Sequence, residues 1–253
     1  MNNAIDIVDL GHTFSGGGRT LKVLEKISLK IYKNEFVSII GPSGSGKTTI
    51  LNLIAGYFSP SEGKILIDGT TVVKPGADRA YSFQEDSVFP WLTVKQNIEY
   101  GLKISGVPKL ERRKISLSYL EKVGLSGFEN YFPKDLSGGM KKRVDLARAY
   151  AISPQIHLMD EPFGALDAKT RFEMQNLLQT LWTYERKTVL FVTHDILEAL
   201  FVSTRILVLS KAPARVLLDI KVPFDFPRVR NLKREDHFLA LEEKIEQFLF
   251  NDE

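Results

Sequence analysis

FVSIIGPSGSGKTT, residues 36–49, is the stretch that decides how this chain folds. Phe36, Val37, Ser38, Ile39 and Ile40 form a nearly continuous apolar run, as expected of a strand buried on both faces. The run ends at Gly41, and Gly41-Pro42-Ser43-Gly44-Ser45-Gly46-Lys47-Thr48 fits the spacing G-x-x-x-x-G-K-[ST]. Beyond it Ile50, Leu51, Leu53 and Ile54 repeat at helical spacing. Strand, glycine loop, helix is the order a phosphate-binding loop requires. The glycines let successive backbone N–H groups turn inward, and the helix N-terminus adds partial positive charge. Lys47 can then reach terminal phosphates, and the Thr48 hydroxyl can ligate Mg²⁺.

Before this stretch the chain reads as strands and tight turns, with alternation at 5–8 and 23–31 and a turn at Lys33-Asn34. After it, 64–67 is a strand closed by the hairpin dipeptide Asp68-Gly69, and 79–83 is a strand that stops at Gln84. From there to about Tyr150 helical patterns replace strand signals, at 94–103, at 109–123 and after Ser137. Strand-like runs resume at 156–159, 189–193 and 205–209, with helical 168–182 and 196–202 between them. Strands alternating with helices imply a mostly parallel sheet covered on both faces. The tail, with Phe238, Leu241, Ile245 and Phe248, reads as an amphipathic helix packed on its own domain.

The 253 residues suit one large domain or one domain with an insertion. With 43% apolar and 26% charged residues the composition is that of a globular protein, and the net charge of +3 argues against a surface that coats nucleic acid. The densest basic run, Lys141-Lys142-Arg143, reads equally as a solvated helix face or as a functional element. There is no cysteine, hence no disulfide framework and no thiolate chemistry. The N-terminus lacks a secretion-signal pattern, and no apolar run approaches the about 20 residues that span a bilayer. A membrane role is therefore expected to come through a partner.

Two further stretches carry chemistry. Residues 156–161, IHLMDE, read as a strand ending in two carboxylates. Asp160 is placed to hold an Mg²⁺ shell, and Glu161 to act as base toward the water that attacks a γ-phosphate. His157, in the same strand, reads as a satisfied core or edge histidine. LSGGM, at 136–140, has neither acid, base nor metal ligand, yet Ser137 and the amides of Gly138 and Gly139 open a helix. That is a second anion cradle, far along the chain from the first, and its economical reading is that it serves another copy of the chain.

GPSGSGKTT, Gln84, LSGGMKKRVDLARA, MDEPFGALD and VTHD stand in the order found in ATP-binding-cassette (ABC) ATPases, and the chain resembles that family from Ile5 to Lys221. The resemblance implies an α/β fold: a P-loop NTPase parallel-sheet core with an N-terminal antiparallel β subdomain and an inserted α-helical subdomain. It divides a single domain, 1–253, into a core of 1–84 and 151–221, a helical subdomain of 85–150 and a tail of 222–253. ATP and Mg²⁺ are the implied cofactors. Lys47 and the loop from Gly41 to Thr49 would bind the β- and γ-phosphates. Thr48, Gln84 and Asp160 would serve the metal, with Gln84 also sensing the γ-phosphate. Glu161 would be the general base and His194 a γ-phosphate contact. Leu166-Asp167 would link two active sites, and Ser137, Gly138 and Gly139 would close on the partner's ATP. Phe14 stands where the family stacks an aromatic ring on adenine, with a plain core phenylalanine as the alternative.

Within the family, FPWLTVKQNI at 89–98 and PFDFPR at 223–228 resemble the ATPase subunits of nitrate, sulfonate and taurine importers; importers of vitamin precursors share these features, so the solute stays open. The implied partners are a second copy, an integral membrane permease and, indirectly, a solute-binding protein, with no nucleic acid. The implied location is peripheral, on the cytoplasmic face of the inner membrane. Phe89, Pro90, Trp91 and Leu92 are either core or anchors for a permease helix. The alternative function is a soluble ABC ATPase acting on nucleic acid or ribosomes, against which stand a short insertion and a single cassette. Two departures are noted: Lys141-Lys142-Arg143 where Arg-Gln-Arg is more usual, and Leu197 where an acidic residue follows THD.

Overall fold

Two sheets and seven α-helices organise the residues described by this computed structural model, which are 2–16, 18–85 and 87–250. The last three residues of the tail read from the sequence, 251–253, lie outside that set. At the N-terminal end β1 (Asn3–Gly16) pairs antiparallel with β2 (Arg19–Tyr32) and with β4 (Glu62–Ile67). The small β5 (Thr70–Thr71) completes an all-antiparallel sheet in the order β2-β1-β4-β5. Its β4–β5 hairpin turns on Asp68 and Gly69, at φ 46° and 78°. Two left-handed residues are what a two-residue hairpin loop needs.

The second sheet has the order β10-β9-β3-β8-β7-β6. Here β3 (Phe36–Ile40), β6 (Arg79–Ser82), β7 (Ile156–Asp160), β8 (Thr188–Val192) and β9 (Arg205–Leu209) run parallel. All five residues of β3, β7 and β8 are buried. Successive residues face opposite cores, which explains the continuous apolar runs: Val189 and Phe191 join one cluster, Leu190 and Val192 the other. The edge strand β10 (Val216–Lys221) has no counterpart in the sequence reading. It lies antiparallel to β9 with a register shift between Val216 and Leu218, and that irregularity breaks the alternation by which a strand is recognised.

The phosphate-loop helix α1 (Lys47–Ala55) follows β3. Between β6 and β7 lie α2 (Val94–Ile104), α3 (Lys109–Lys122) and α4 (Gly138–Ala151), around Val94, Ile98, Leu120, Val144 and Tyr150. Thr93 and Gln96 form a reciprocal capping box at the start of α2. Asn97 is buried and pins the segment before it: its Oδ1 accepts from Phe89 N at 2.7 Å, and its Nδ2 donates to Phe89 O and Leu92 O. The remaining helices are α5 (Ala168–Glu185), α6 (Ile196–Val202) and α7 (Asp236–Phe250). Phe238, Leu241 and Ile245 of α7 are buried against Ile40, Ile206 and Val208, so the tail packs on its own chain as expected. Arg228 fastens the tail further, donating through Nη1 to Leu200 O and Ser203 O at the end of α6. Burial lowers its guanidinium pKa to about 10.

Because the inner strands are parallel, their carboxyl ends share one edge. Ile39 is level with Val192, Asp160 with Val192, and Ser82 with Met159. The phosphate loop, Glu161, His194 and Gln84 all follow these residues in the chain. Open parallel sheets bind ligands at that edge.

Candidate functional site

The loop after β3 is shaped by contacts that only glycine permits. Gly46 sits at φ 82°, and a Cβ there would meet side-chain carbons of Leu24 and Val23 at 2.7 Å. Gly41 is equally confined, by Ser45 Oγ at 2.9 Å and Leu209 O at 3.0 Å. Lys47 is folded onto this loop and donates to Gly41 O at 2.8 Å and Pro42 O at 2.9 Å. Burial lowers its pKa, opposed by the charges of Glu161 and Asp160. Ser43, Gly44 and Thr48 are exposed, Pro42, Gly46 and Thr49 half-buried, Ser45 buried. The loop thus offers exposed amides at a helix N-terminus with a cation at its centre, which is the chemistry that holds phosphates.

Asp160 and Glu161 occupy different surroundings. Asp160 is buried, accepts from Thr48 Oγ1 at 3.1 Å and from Tyr81 OH at 3.3 Å, and burial raises its pKa. A hydroxyl and a carboxylate held side by side are hard oxygen donors that suit Mg²⁺. The Gln84 side chain is exposed on the next loop of the same edge. Glu161 has φ 42°, a left-handed conformation unusual for a residue with a Cβ; such strain of about 1–3 kcal/mol tends to persist at functional sites. Its Oε2 lies 3.0 Å from His194 Nδ1, and the His194 side chain is 65% exposed.

Behind His194 lies a network centred on Glu198, a residue outside the sequence motifs. Thr193 Oγ1 donates to Glu198 Oε2 at 2.6 Å, and Gln175 Nε2 donates to Glu198 Oε1 at 3.0 Å. Glu198 is buried and its pKa is raised by that burial. Asp195 caps α6 by accepting from Glu198 N. The spacing Asp195-x-x-Glu198 before an apolar run is the available sequence signal. Leu166 O accepts from Arg171 Nη2 at 2.9 Å, while Arg171 Nη1 lies 3.8 Å from Asp195. The loop of Asp167 is thereby tied to the loop of His194. Asp167 caps α5, accepting from Lys169 N and Thr170 N at 3.0 Å each. The Thr170 hydroxyl, with these amides, holds its pKa low.

The Ser137 cradle stands at the start of α4. Ser137 caps α4 by accepting from Met140 N, Ser137 and Gly138 are exposed, and a Cβ on Gly138 would meet nothing within 4 Å. Gly139 instead abuts Thr170 of α5, where a Cβ would lie 2.5 Å from Cγ2. Phe14 is not a core residue: it is 40% exposed, edge-on to His12 at 4.6 Å and to Phe58 at 6.0 Å. His12 pairs with Leu24, against which Gly46 of the phosphate loop packs, so β1 and β2 bring the Phe14 end of their hairpin to the side of that loop. His157 is a core residue, with Nε2 3.0 Å from Ser82 Oγ and its ring edge-on to Tyr150. It lies within β7 and not on the loop that follows it.

Beside the Gln84 loop runs a groove of about 430 Å³ lined by Tyr57, Tyr81, Phe83, Phe89, Tyr100 and Arg148. Phe89 stacks on Trp91 at 5.4 Å and packs on Tyr100 at 4.6 Å, and Trp91 and Tyr100 are exposed. Of the four residues 89–92, Phe89 lines the groove, Trp91 flanks it, Pro90 is exposed and Leu92 is half-buried.

The pattern of the family described as ABC transporter matches residues 24–164. The taurine import ATP-binding protein TauB of Rhizobium johnstonii is 46% identical over 243 residues, covering 93% of this chain and 92% of that protein. The nitrate import ATP-binding protein NrtD of Synechocystis is 43% identical over 251 residues, covering 97% and 94%. Among solved structures, the dimeric bacterial ABC transporter cassette MJ0796 superposes with a TM-score of 0.76 at 36% identity, over 87% of this chain and all of that one. The same cassette in a post-hydrolysis state bound to ADP and Pi superposes equally well, at 35% identity. The phosphate loop on a parallel sheet, the paired carboxylates at the end of β7 and these similarities lead to one conclusion: the chain belongs to the ABC transporter family, as an ATP-binding and ATP-hydrolysing cassette.

Proposed function

We propose that this chain powers the uptake of a small solute through a separate integral membrane permease, as a peripheral subunit on the cytoplasmic face of the membrane. The observation that carries this reading is the aromatic groove beside the Gln84 loop. Tyr57 and Tyr100 are 46% and 40% exposed at that groove, and apolar anchors of this kind receive a short amphipathic helix. No helix among the described residues is long and apolar enough to cross a membrane. The permease therefore enters as a partner, and the import names of the relatives support its direction of transport. A solute-binding protein would act on the far side of that permease.

In the site itself Lys47 and the amides of the loop hold the β- and γ-phosphates, and Phe14 stacks on the adenine. Thr48, Asp160 and Gln84 would hold Mg²⁺, which would offset charge on the phosphate oxygens. Glu161 takes the proton of the attacking water, oriented by His194. Two chains meet head to tail, so that Ser137, Gly138 and Gly139 of one close on the ATP held by the other, with Asp167 linking the two sites. The functional units are 1–84 with 151–221 as motor core, 85–150 as the helical arm that carries the cradle, and 222–253 as the tail.

Photo-crosslinking tests the reading. With a photoreactive phenylalanine analogue in place of Tyr100, irradiated membranes should give one main adduct, to a cytoplasmic segment of a multi-span membrane protein encoded beside this chain. Adducts confined to ribosomal proteins or nucleic acid overturn it.

A further inference from the structure

The loop that carries Gln84 is gripped from behind by the helix that carries the Ser137 cradle. Lys142 is the fifth residue of α4, and it is only 4% exposed. Its Nζ donates to Gln84 O at 2.8 Å and lies 3.3 Å from Glu85 O and 3.4 Å from Phe83 O. An ammonium has three N–H donors, and here three successive carbonyls meet it. A cation withdrawn from water persists only where such oxygens replace its hydration shell. Lys142 is therefore no member of a solvated helix face, one of the two roles open to the basic run in the sequence.

A second grip lies farther along the same helix. Arg148 donates through Nη1 to Ser87 O and through Nη2 to Ser87 Oγ, both at 2.6 Å, and Ser87 Oγ donates to Asp145 at 2.5 Å. The loop after β6 is thus strapped to α4 at 83–85 and at Ser87. The start of α4 is braced by the approach of Gly139 to Thr170. The Lys142 contact is the one that reaches the backbone of Gln84 itself.

We propose that Lys142 is a positioning residue for ATP hydrolysis, joining the Gln84 loop to the Ser137 cradle so that the two move as one body. Engagement of Gln84 at one nucleotide then sets where the cradle stands for the other. This rests on the reading of Gln84 and Ser137 given above. A glutamine at this position, one atom shorter and uncharged, could reach fewer of the three carbonyls. The basic residue is what lets all three be held at once.

The test is a double-mutant cycle on the full chain, with kcat, ATP dissociation constant and thermal midpoint measured for each variant. Lys142→Met keeps an unbranched apolar stem of glutamine's length and removes the donors; Lys142→Gln retains two donors and serves if the methionine variant does not fold. Either should lower kcat, by about tenfold for methionine and less for glutamine, with the ATP dissociation constant within about twofold of the parent. Gln84→Ala should also lower kcat. Combined with Gln84→Ala, either Lys142 substitution should change kcat by less than about twofold, because the group it positions is gone. Losses that multiply, or a lowered thermal midpoint with kcat unchanged, overturn the role of Lys142 and leave Gln84 in place. Full activity of Gln84→Ala overturns instead the reading of Gln84 on which the proposal rests.

Discussion

His194 Nδ1 and Glu161 Oε2 stand 3.0 Å apart, although 33 residues separate them in the chain. Parallel strands β7 and β8 make the contact, because each ends at the same edge and the next residues turn toward one another. The carboxylate thereby meets a ring whose chain neighbour, Thr193, is bonded to the buried Glu198.

Glu161→Gln preserves the shape of the side chain and a hydrogen bond to His194 but cannot accept a proton. Turnover should fall about 10²–10⁴-fold, with ATP binding retained. Steady-state hydrolysis and nucleotide titration check this together. Hydrolysis near the parental rate would remove Glu161 from the role of base.

The proposed head-to-tail arrangement makes a prediction about mixtures. Lys47→Ala and Ser137→Arg should each be nearly inactive as pure proteins. Mixed dimers contain one composite site with both residues intact and should trap ATP there, as nucleotide retained after rapid gel filtration. Specific activity of the parent chain should rise with concentration as dimers form. Full activity at dilutions where light scattering shows a monomer would end the reading.

At the groove, Tyr100→Ser and Tyr57→Ser remove the exposed rings proposed to receive the permease. Tyrosines are enriched among the few hot-spot residues worth about 2 kcal/mol or more in a complex. Transport in reconstituted vesicles should fall while hydrolysis by the isolated chain and its thermal midpoint hold. Parallel loss of hydrolysis and folding would make these rings core residues instead.

His157 predicts an acid limb of stability. Burial lowers its pKa to about 3, whereas in the unfolded chain it protonates near 6.5. Between those values the unfolded state binds the extra proton, so stability is full above about 6.5 and drains as pH falls toward 3. The contribution amounts to roughly 2 kcal/mol between pH 7 and pH 5. Urea unfolding of the parent and of His157→Gln at both pH values should show the smaller pH dependence in the variant. Equal slopes would mean that the ring is solvated.

The phosphate loop, the strand that feeds it, the two carboxylates and the order of the helical insertion were all legible in the chain itself. They rest on local rules: an apolar run for a doubly buried strand, fixed glycine positions for a turning backbone, a hydroxyl or carboxylate opening a helix. What required the tertiary structure are the contacts that order these parts against one another. Thr48 meets Asp160 across 112 residues, Lys142 meets Gln84 across 58, and Gln175 meets Glu198 across 23. The edge strand β10 belongs here too, since only pairing with β9 marks its irregular stretch as a strand. Lys142 shows the reason most plainly. In the chain it is the middle of a basic run and fits a solvated helix face as well as any other role. Whether its ammonium faces water or three carbonyls depends on where β6 delivers the following loop, which is decided by the packing of elements far apart in sequence.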